Sequence, residues 1–403
     1  MEMELFLWEH KRLWKRKSTQ ISVLLCLLYV VVFGSILSYQ WFTFGSRTGY
    51  DNFSKQFDGY TNIRLYQQYA RQFGGVLTDE ALQEMVRDYQ AIAEVDYQNS
   101  NLTNVYAISS WLSQLYPDLK HPEDYRLMND YVDPGELTGF YERRQEALED
   151  FLAIGNQVGE EREYLLKMDA KVEKPFTYQW TEGWSTVLGS ILPDLGSVLA
   201  LFLTISLAPI FAGEWHDRTV SLLLTTKNGW KETARAKICS GLALAAEIFA
   251  LVLVGNVSSQ LFFLGTEGWD MPIQMVKLIA IAPMNMLEAE IFGYVFVFFG
   301  VMGYAGLVML LSSCAKSNFA ALLLGLSVVY LPLAVSEYLP FWAQKALDLL
   351  PLVGSPADIF RTYTFCIFGK YIWSPYLLII LPVLLGLACV PFGVKRWARR
   401  MGR

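Results

Sequence analysis

The stretch that decides the fold covers residues 187–212 and reads VLGSILPDLGSVLALFLTISLAPIFA. Its only charged residue is Asp194. A helix needs about 20 predominantly apolar residues to cross the ~30 Å hydrocarbon core of a bilayer. The stretch is long enough to do so, and it therefore places the chain among membrane proteins.

Five further apolar runs of similar length occur in the chain, at 21–42, 238–264, 291–313, 318–336 and 373–394. Within the six runs, charge is present only at Asp194 and Glu247. Charged residues make up 18% of the chain, against about 25% in a typical soluble domain. The first run has no small-residue cleavage site, so we interpret it as a retained first transmembrane helix. We predict an all-α membrane protein with six transmembrane helices.

Lysine and arginine concentrate at one side of this arrangement. Five lie in the N-terminal tail, five between the second and third runs, five in the C-terminal tail, and Lys316 lies between the fourth and fifth runs. Cytoplasmic loops carry such an excess, so we expect both termini in the cytoplasm and residues 395–403 as a cytoplasmic tail.

The N-terminal segment, residues 1–20, combines these basic residues with apolar ones. The apolar residues are Leu5, Trp8, Leu13 and Trp14. The pattern predicts a cytoplasmic amphipathic helix on the inner leaflet. The simpler alternative is a positively charged flank that only sets the topology, and the two interpretations are compatible.

Residues 43–186 are predicted to form a large, mostly helical extracellular domain. Positions 44–185 contain 24 acidic and 13 basic residues and no cysteine. Thr78 suits an N-cap, and apolar residues follow it at helical spacing, namely Leu82, Met85, Val86, Tyr89 and Ala93. A long charged helix is predicted over 138–174, with Phe140, Ala147, Phe151 and Ile154 on one stripe and Pro175 at its end. The domain is either a solvated hairpin packed on itself or a lid or stalk that meets a substrate or an outside partner.

Residues 187–394 are predicted to hold transmembrane helices two to six. They include a cytoplasmic loop at 213–237 and an outer re-entrant segment at 337–372, which is rich in proline and glycine. The apolar stretch 275–287 is too short to span and is broken by Pro283. We expect that stretch to be interfacial or partly re-entrant.

The loop after the second run reads FAGEWHDRTVSLLLTTK over 211–227 and continues to Lys237. Here the chain resembles the permease subunits of ATP-binding-cassette exporters of the ABC-type-2 family. Those permeases leave the second span with a glutamate, continue through a Gly-Thr-like pair, a Leu-Leu run and a Thr-Thr-Pro-like turn, and open the third span with a basic residue. The residues that match in order are Glu214, Thr219, Leu222–Leu224, Thr225–Thr226 and Lys237. Arg218 stands where glycine is common, and Lys227 where proline is common.

The resemblance covers most of the chain and implies a mechanism. A cytoplasmic ABC ATPase would bind ATP-Mg, while this chain would bind no cofactor itself. A second permease copy, or a related permease, would complete a dimer. The loop would couple ATPase motion to the spans through Glu214, Arg218, Thr219, Leu223, Thr225 and Lys237. The resemblance implies a lipid-like molecule, an amphipathic peptide, an antibiotic or an ion as cargo, and we expect a hydrophobic or amphipathic one because the spans offer few polar groups. The implied location is a cell membrane, bacterial in origin. An ordinary solvated loop is the alternative reading.

Two charges and several glycines lie inside the predicted spans. Glu247 is expected near mid-bilayer and Asp194 near the outer end of the second span. Charges at such depth face protein or water, so each is either a polar point on a translocation path or subunit interface, or an inter-helix hydrogen bond. The spacing of Gly300, Gly303 and Gly306 is typical of a small-residue face for close helix contact, and Gly300 and Gly303 are candidates for the same translocation path or subunit interface. The ordinary glycine content of membrane helices is the alternative.

Several functions are not predicted. The sequence has no phosphate-binding loop and no H-E-x-x-H or G-x-S-x-G motif, and its three histidines are isolated. We therefore predict no enzyme activity and no metal site for this chain. The basic clusters flank the membrane, so they indicate contact with lipid headgroups rather than with nucleic acid. The second functional hypothesis is a non-transporting sensor or scaffold whose extracellular domain binds a ligand.

Overall fold

A computed structural model describes residues 2–36, 59–100, 105–121, 126–216 and 229–401 of the chain. The fold is mostly helical, with 76% of residues in helices. Within these described ranges, five helical stretches are long and apolar enough to cross a membrane: Glu182–Trp215, Lys231–Leu264, Met286–Cys314, Asn318–Tyr338 and Ser374–Trp397. They coincide with the second to sixth predicted runs, which confirms those five predictions of helix.

The N-terminal part forms two helices, α1 (Glu2–Trp14) and α2 (Lys17–Val31), followed by a π-helical turn at Val32–Ile36. The predicted first span begins within α2, and its last residues, 37–42, lie outside the described residues. With 15 residues, α2 is apolar but shorter than the five long helices. The first of the six spans therefore stays a prediction.

The second apolar stretch is built from several pieces. It consists of α8 (Glu182–Thr186), a π-helical turn (Val187–Ile191), α9 (Leu192–Leu207) and α10 (Pro209–His216). The boundary between α9 and α10 falls before Pro209, which has no backbone N–H to continue the helical ladder.

The remaining long helices are α11 (Gly229–Leu264), α12 (Met286–Cys314), α13 (Asn318–Val335) and α15 (Ser374–Met401). The 36 residues of α11 correspond to about 54 Å of helix, which is longer than the ~30 Å hydrocarbon core. A capping box formed by Asn285 and Glu288 starts α12, and Ser317 caps α13 by accepting a hydrogen bond from Ala320 N at 3.2 Å. In both caps a side chain accepts a hydrogen bond from a backbone N–H group that has no partner within the helix. Both caps are formed by residues that are close in sequence.

Helix α12 lies at the centre and contacts α9, α11, α13 and α15. An added Cβ at Gly303 would lie 2.2 Å from the carbonyl oxygen of Pro382, and one at Gly306 would lie 2.9 Å from that of Gly386. Only glycine therefore permits the approach of α12 and α15. Gly303 and Gly306 therefore form a close helix contact within the chain, and a role of the glycines in a translocation path or subunit interface stays a prediction.

The remaining helices form a polar domain, defined here as residues 59–180. It contains α3 (Gly59–Gln72), α4 (Asp79–Ser100), α5 (Val105–Leu115), α6 (Phe140–Ile154) and α7 (Gly159–Asp169). Short 3-10 turns occur at Pro117–Leu119, Met128–Asp130 and Pro134–Glu136. Two short antiparallel strands, β1 (Gly75–Val76) and β2 (Thr177–Tyr178), join its ends. Thr78 accepts a hydrogen bond from Ala81 N at 3.2 Å, which confirms the predicted cap before α4.

The helix predicted over 138–174 is wrong in two respects. It is two helices, α6 and α7, and its predicted stripe faces the core only in its first half, where Phe140 is fully buried. Ile154 is 82% exposed, whereas Arg144 is fully buried. Arg144 pairs with Asp169 at 2.7 Å and donates to the carbonyl oxygen of Leu278 at 2.7 Å. Arg144 can therefore be buried because Asp169 and the Leu278 carbonyl oxygen compensate its charge. A pattern of apolar residues does not predict the burial of a basic one.

The segment around 275–287, expected to be interfacial or partly re-entrant, is an irregular connection that packs on the polar domain. It includes a 3-10 turn at Ile273–Met275, and Met275 O accepts a hydrogen bond from Trp111 Nε1 at 3.2 Å. Ile281 and Ala282 are fully buried. The apolar character of the segment is therefore explained by burial in protein.

The segment 337–372, predicted to be re-entrant, also contacts the polar domain. Gln157 Nε2 donates to Thr362 O at 2.7 Å. The segment contains α14 (Phe341–Asp348), 3-10 turns at Ser336–Tyr338 and Pro356–Phe360, and a hairpin of β3 (Thr364–Ile367) and β4 (Lys370–Trp373). In the hairpin, Thr364 is opposite Trp373 and Ile367 is opposite Lys370. The all-α description is thus correct for most of the chain but misses this hairpin.

Candidate functional site

Helix α1 buries a charged residue against the rest of the chain. Glu9 is 3% exposed and Leu13 is 1% exposed, whereas Trp8 is 59% exposed. Because Glu9 and Leu13 are four residues apart, they lie on the same side of the helix. The buried side of α1 is therefore not the fully apolar face that an isolated amphipathic helix would present, and something must neutralise Glu9.

Glu9 belongs to a four-residue ion cluster formed by Glu9, Arg12, Glu214 and Lys237. The ammonium group of Lys237 lies 3.0 Å from a carboxylate oxygen of Glu9 and 2.8 Å from one of Glu214. The guanidinium of Arg12 lies 2.7 Å from the same Glu214 oxygen. Two acids and two bases are thus arranged alternately, and each charge has a partner.

The ion cluster is largely closed to water. Lys237 is 1% exposed and Glu214 is 4% exposed, and the side chain of Arg12 is 30% exposed. Removing one member of a buried pair typically costs about 3–5 kcal/mol, because the remaining charge is left without compensation. Each charge is therefore needed in its place, and the cluster fixes the position of the elements that carry it.

Those elements come from three parts of the chain. Glu9 and Arg12 lie on α1, Glu214 lies near the end of α10, and Lys237 lies in the third turn of α11. The last residue of α10 and the first of α11 flank the segment 217–228. The ion cluster therefore joins the N-terminal helix to both ends of that segment.

A second contact aligns α1 along α11. Glu247 accepts a hydrogen bond from Trp14 Nε1 at 2.7 Å and lies 3.1 Å from His10 Nε2. Closer to the start of α11, Ser240 Oγ donates to the carbonyl oxygen of Phe6 at 3.2 Å. Glu247 thus forms an inter-helix hydrogen bond, with α1 as the neighbouring helix, and its role in a translocation path or subunit interface stays a prediction.

The orientation of α10 is fixed from its other side. Ser312 Oγ on α12 accepts hydrogen bonds from the backbone N–H groups of Phe211 and Ala212, at 3.0 and 3.1 Å, and donates to Ala208 O at 2.6 Å. These bonds satisfy backbone groups at the break before Pro209. The fully buried ring of Trp397 on α15 also packs on Phe211, with 5.1 Å between ring centroids. Helices α1, α10, α11, α12 and α15 therefore meet at one end of the bundle.

A groove of about 460 Å³ opens next to this site, lined by Met3, Phe6, Glu232, Arg235, Ala236 and Cys239. Its walls are the first turns of α1 and of α11. Exposed Met3, Leu7 and Trp8 continue the apolar surface of α1 beyond the groove. The site thus combines a closed charged core with an open apolar surface beside the segment 217–228.

The predicted site residues divide into three groups. Glu214 and Lys237 come together in the ion cluster. Arg218, Thr219, Leu223 and Thr225 lie in 217–228, outside the described residues. Asp194 is exposed, and Gly300 faces Leu352, whose Cδ2 would lie 2.7 Å from an added Cβ.

Sequence reasoning missed the role of Glu9 and counted Arg12 only as a topogenic charge. An acidic residue within a basic, apolar segment was the available signal. The spacing of Leu5, Glu9 and Leu13 places Glu9 in the middle of an apolar stripe. A carboxylate at such a position requires a basic partner from another element. In the part of the chain that the structure describes, no group of three or more His, Cys, Asp or Glu side chains is placed to hold a metal ion.

Comparison with known proteins finds no matching family model, no similar curated protein and no similar solved structure.

Proposed function

We propose that this chain is the membrane-spanning permease subunit of an ABC transporter, and that it exports a hydrophobic or amphipathic substrate. A separate cytoplasmic ATPase subunit supplies the energy of ATP hydrolysis. The chain spans a bacterial cell membrane six times, with both termini in the cytoplasm and the polar domain outside. A second copy, or a related permease, completes the translocation path.

The ion cluster is the observation that carries this proposal. A permease without its own ATP site requires an element that receives motion and passes it to the spans. Because the cluster ties α1, α10 and α11 together on both sides of the segment 217–228, a displacement of that segment by a partner is expected to move all three. The groove beside Met3 and Arg235 supplies a surface on which such a partner can dock.

The distribution of loops supports the proposed orientation. The connections 265–285 and 337–373 both contact the polar domain, as the bonds of Trp111 and Gln157 show. Helix α1, the start of α11 and Trp397 lie at the opposite end of the helices, together with the basic tails. Positive charge at one end and an acidic domain at the other are the pattern expected when the basic end is cytoplasmic.

The proposal is tested by purifying the tagged chain from its native membranes in mild detergent and assaying ATP hydrolysis in the eluate. We expect an ABC ATPase to co-purify at a fixed stoichiometry. If no ATPase co-purifies at any stoichiometry, the transporter proposal fails, and the sensor or scaffold hypothesis takes its place.

A sharper test measures the substrate-stimulated fraction of ATP hydrolysis in reconstituted vesicles. Glu214→Gln should reduce this fraction severalfold while the ATPase remains bound, because the carboxylate that joins Arg12 and Lys237 is lost. Glu288→Gln, an exposed change that preserves the capping box of α12, serves as the matched control. Unchanged coupling in Glu214→Gln would remove the transmission role of the ion cluster.

A further inference from the structure

A second buried polar cluster lies between α11 and α12, far from the ion cluster. It consists of Asn256 and Gln260 on α11 and of Glu290 and Tyr294 on α12. Asn256 and Gln260 are fully buried, Glu290 is 3% exposed and Tyr294 is 7% exposed. We call these four residues the acceptor-rich cluster.

Three contacts define its geometry, and one of them is a hydrogen bond between Glu290 and the Tyr294 hydroxyl. Gln260 Nε2 donates to a carboxylate oxygen of Glu290 at 3.2 Å, and Asn256 Nδ2 donates to the Tyr294 hydroxyl at 2.5 Å. The two amide oxygens are buried as well, and neither Asn256 Oδ1 nor Gln260 Oε1 has a hydrogen-bond donor among the residues that the structure describes. The cluster therefore holds more buried acceptors than donors.

The charge of Glu290 is also without an opposite partner. Across the described ranges of the chain, no lysine, arginine or histidine forms an ion pair with this carboxylate, whereas each acid of the ion cluster has at least one. An ionised carboxylate buried in an apolar region requires compensation. A positively charged ligand would supply it and would also satisfy the two amide oxygens.

The ligand set indicates which ligand fits. One carboxylate, two amide oxygens and one hydroxyl are hard oxygen donors, which suit alkali and alkaline-earth cations. The single negative charge matches a monovalent ion. A proton on Glu290 would neutralise the charge, but a single O–H reaches at most one of the two unpaired amide oxygens.

We propose that the acceptor-rich cluster is a binding site for a monovalent alkali cation, with Na⁺ as the probe. The site lies near the polar-domain ends of α11 and α12, since Gln260 is four residues from the end of α11 and Glu290 is in the second turn of α12. Cation binding at this site stabilises the packing of α11 against α12. The site is independent of the proposed ATPase partner, since all four ligands belong to this chain.

The test uses the full-length purified chain in mild detergent, without any ATPase. Thermal unfolding is followed while NaCl replaces choline chloride at constant ionic strength, and ²²Na⁺ binding is measured on the same samples. We expect a saturable rise in Tm with Na⁺ and saturable ²²Na⁺ binding. Glu290→Gln should weaken that binding by about tenfold or more, because the only carboxylate ligand is lost.

Two variants serve as controls, one for the position of the carboxylate and one for the stability of the protein without sodium. Glu288→Gln retains the capping box and changes an exposed carboxylate two residues away, so it should bind Na⁺ as the wild type does. Glu290→Gln removes a buried charge, so it should be at least as stable as the wild type in sodium-free buffer. If Na⁺ has no effect on the wild type, and acidification alone stabilises it, then the carboxyl carries a proton and the proposal is overturned.

Discussion

The ion cluster and the acceptor-rich cluster lie on the same helix, α11, and solve the problem of a buried carboxylate in opposite ways. Lys237 and Gln260 are separated by 23 positions, or about 35 Å of helix. In the first cluster Glu9 and Glu214 are neutralised by basic side chains of the same chain. In the second, Glu290 has amide and hydroxyl neighbours but no basic partner among the residues that the structure describes. A cluster in which every charge is paired holds the helices in a fixed arrangement. A cluster with an unpaired carboxylate can bind a cationic ligand.

Neutralising one member of the ion cluster should have the largest effect. Lys237→Met leaves two buried carboxylates with Arg12 alone and should lower the free energy of unfolding by about 3–5 kcal/mol. Denaturant-induced unfolding in detergent measures this change. Lys277→Met, which removes an exposed lysine at the other end of the molecule, should change stability by less than about 0.5 kcal/mol.

The double variant Glu9→Gln with Lys237→Met sharpens this prediction. It removes one acid and one base, so Arg12 and Glu214 remain as a neutral pair. The double variant should therefore be more stable than Lys237→Met alone. With Glu9→Gln measured by itself, the coupling energy is the stability change of the double variant minus the sum of the changes of the two single variants. A coupling energy of zero would show that Glu9 and Lys237 do not interact energetically.

Asp358 is an intermediate case between the two clusters. Within the described part of the chain its ion-pair partner is Arg361 at 3.1 Å, which is half-exposed. Burial raises the pKa of Asp358 from 3.8 to about 6, against the lowering effect of Arg361. The folded state holds this proton more tightly than the unfolded state. The contribution of Asp358 to the free energy of unfolding is therefore fully present below pH 4 and is lost as pH rises towards 6. The loss amounts to at most about 3 kcal/mol.

Hydrogen exchange of residues 349–363 between pH 4 and 7, corrected for intrinsic rates, measures this effect locally. Protection should fall as pH rises through 4–6 and then remain constant. Asp358→Asn should abolish that dependence and keep the segment protected at pH 7. The interpretation would be wrong if wild type and variant showed the same pH profile.

The contact of Glu247 with α1 is more exposed and should contribute less. Its side chain is 45% exposed, and His10 Nε2 also lies 3.1 Å from it, so one contact remains when the other is lost. Trp14→Phe removes the donor at 2.7 Å and should cost about 1 kcal/mol. Thermal unfolding of this variant, with Trp8→Phe as the exposed control, tests the estimate.

The smallest effect is expected in the acceptor-rich cluster. Asn256→Leu replaces a fully buried amide, whose oxygen has no donor in the described structure, by an apolar side chain of similar size. Stability in sodium-free buffer should change by less than about 1 kcal/mol, because the lost bond to Tyr294 is offset by removal of an unsatisfied acceptor. A loss as large as that in Lys237→Met would show that the two clusters do not differ as described.

The sequence by itself determined the features that depend on neighbouring residues. Apolar runs predicted five long helices, Thr78 predicted a cap, and the spacing of Gly303 and Gly306 predicted a close helix contact. Each of these follows from local hydropathy, local hydrogen bonding or helical periodicity, which the chain carries without reference to distant segments.

The tertiary structure alone decided which distant groups meet. Glu9 pairs with Lys237 across 228 positions, and Arg144 is buried because Asp169 and the connection before α12 surround it. Glu290 lies one residue outside the predicted fourth span, and only the packing of α11 on α12 places it beside Gln260. The physical reason is the same in each case, because the free energy of a buried charge depends on its partners, and partners far apart in sequence are set by how helices pack.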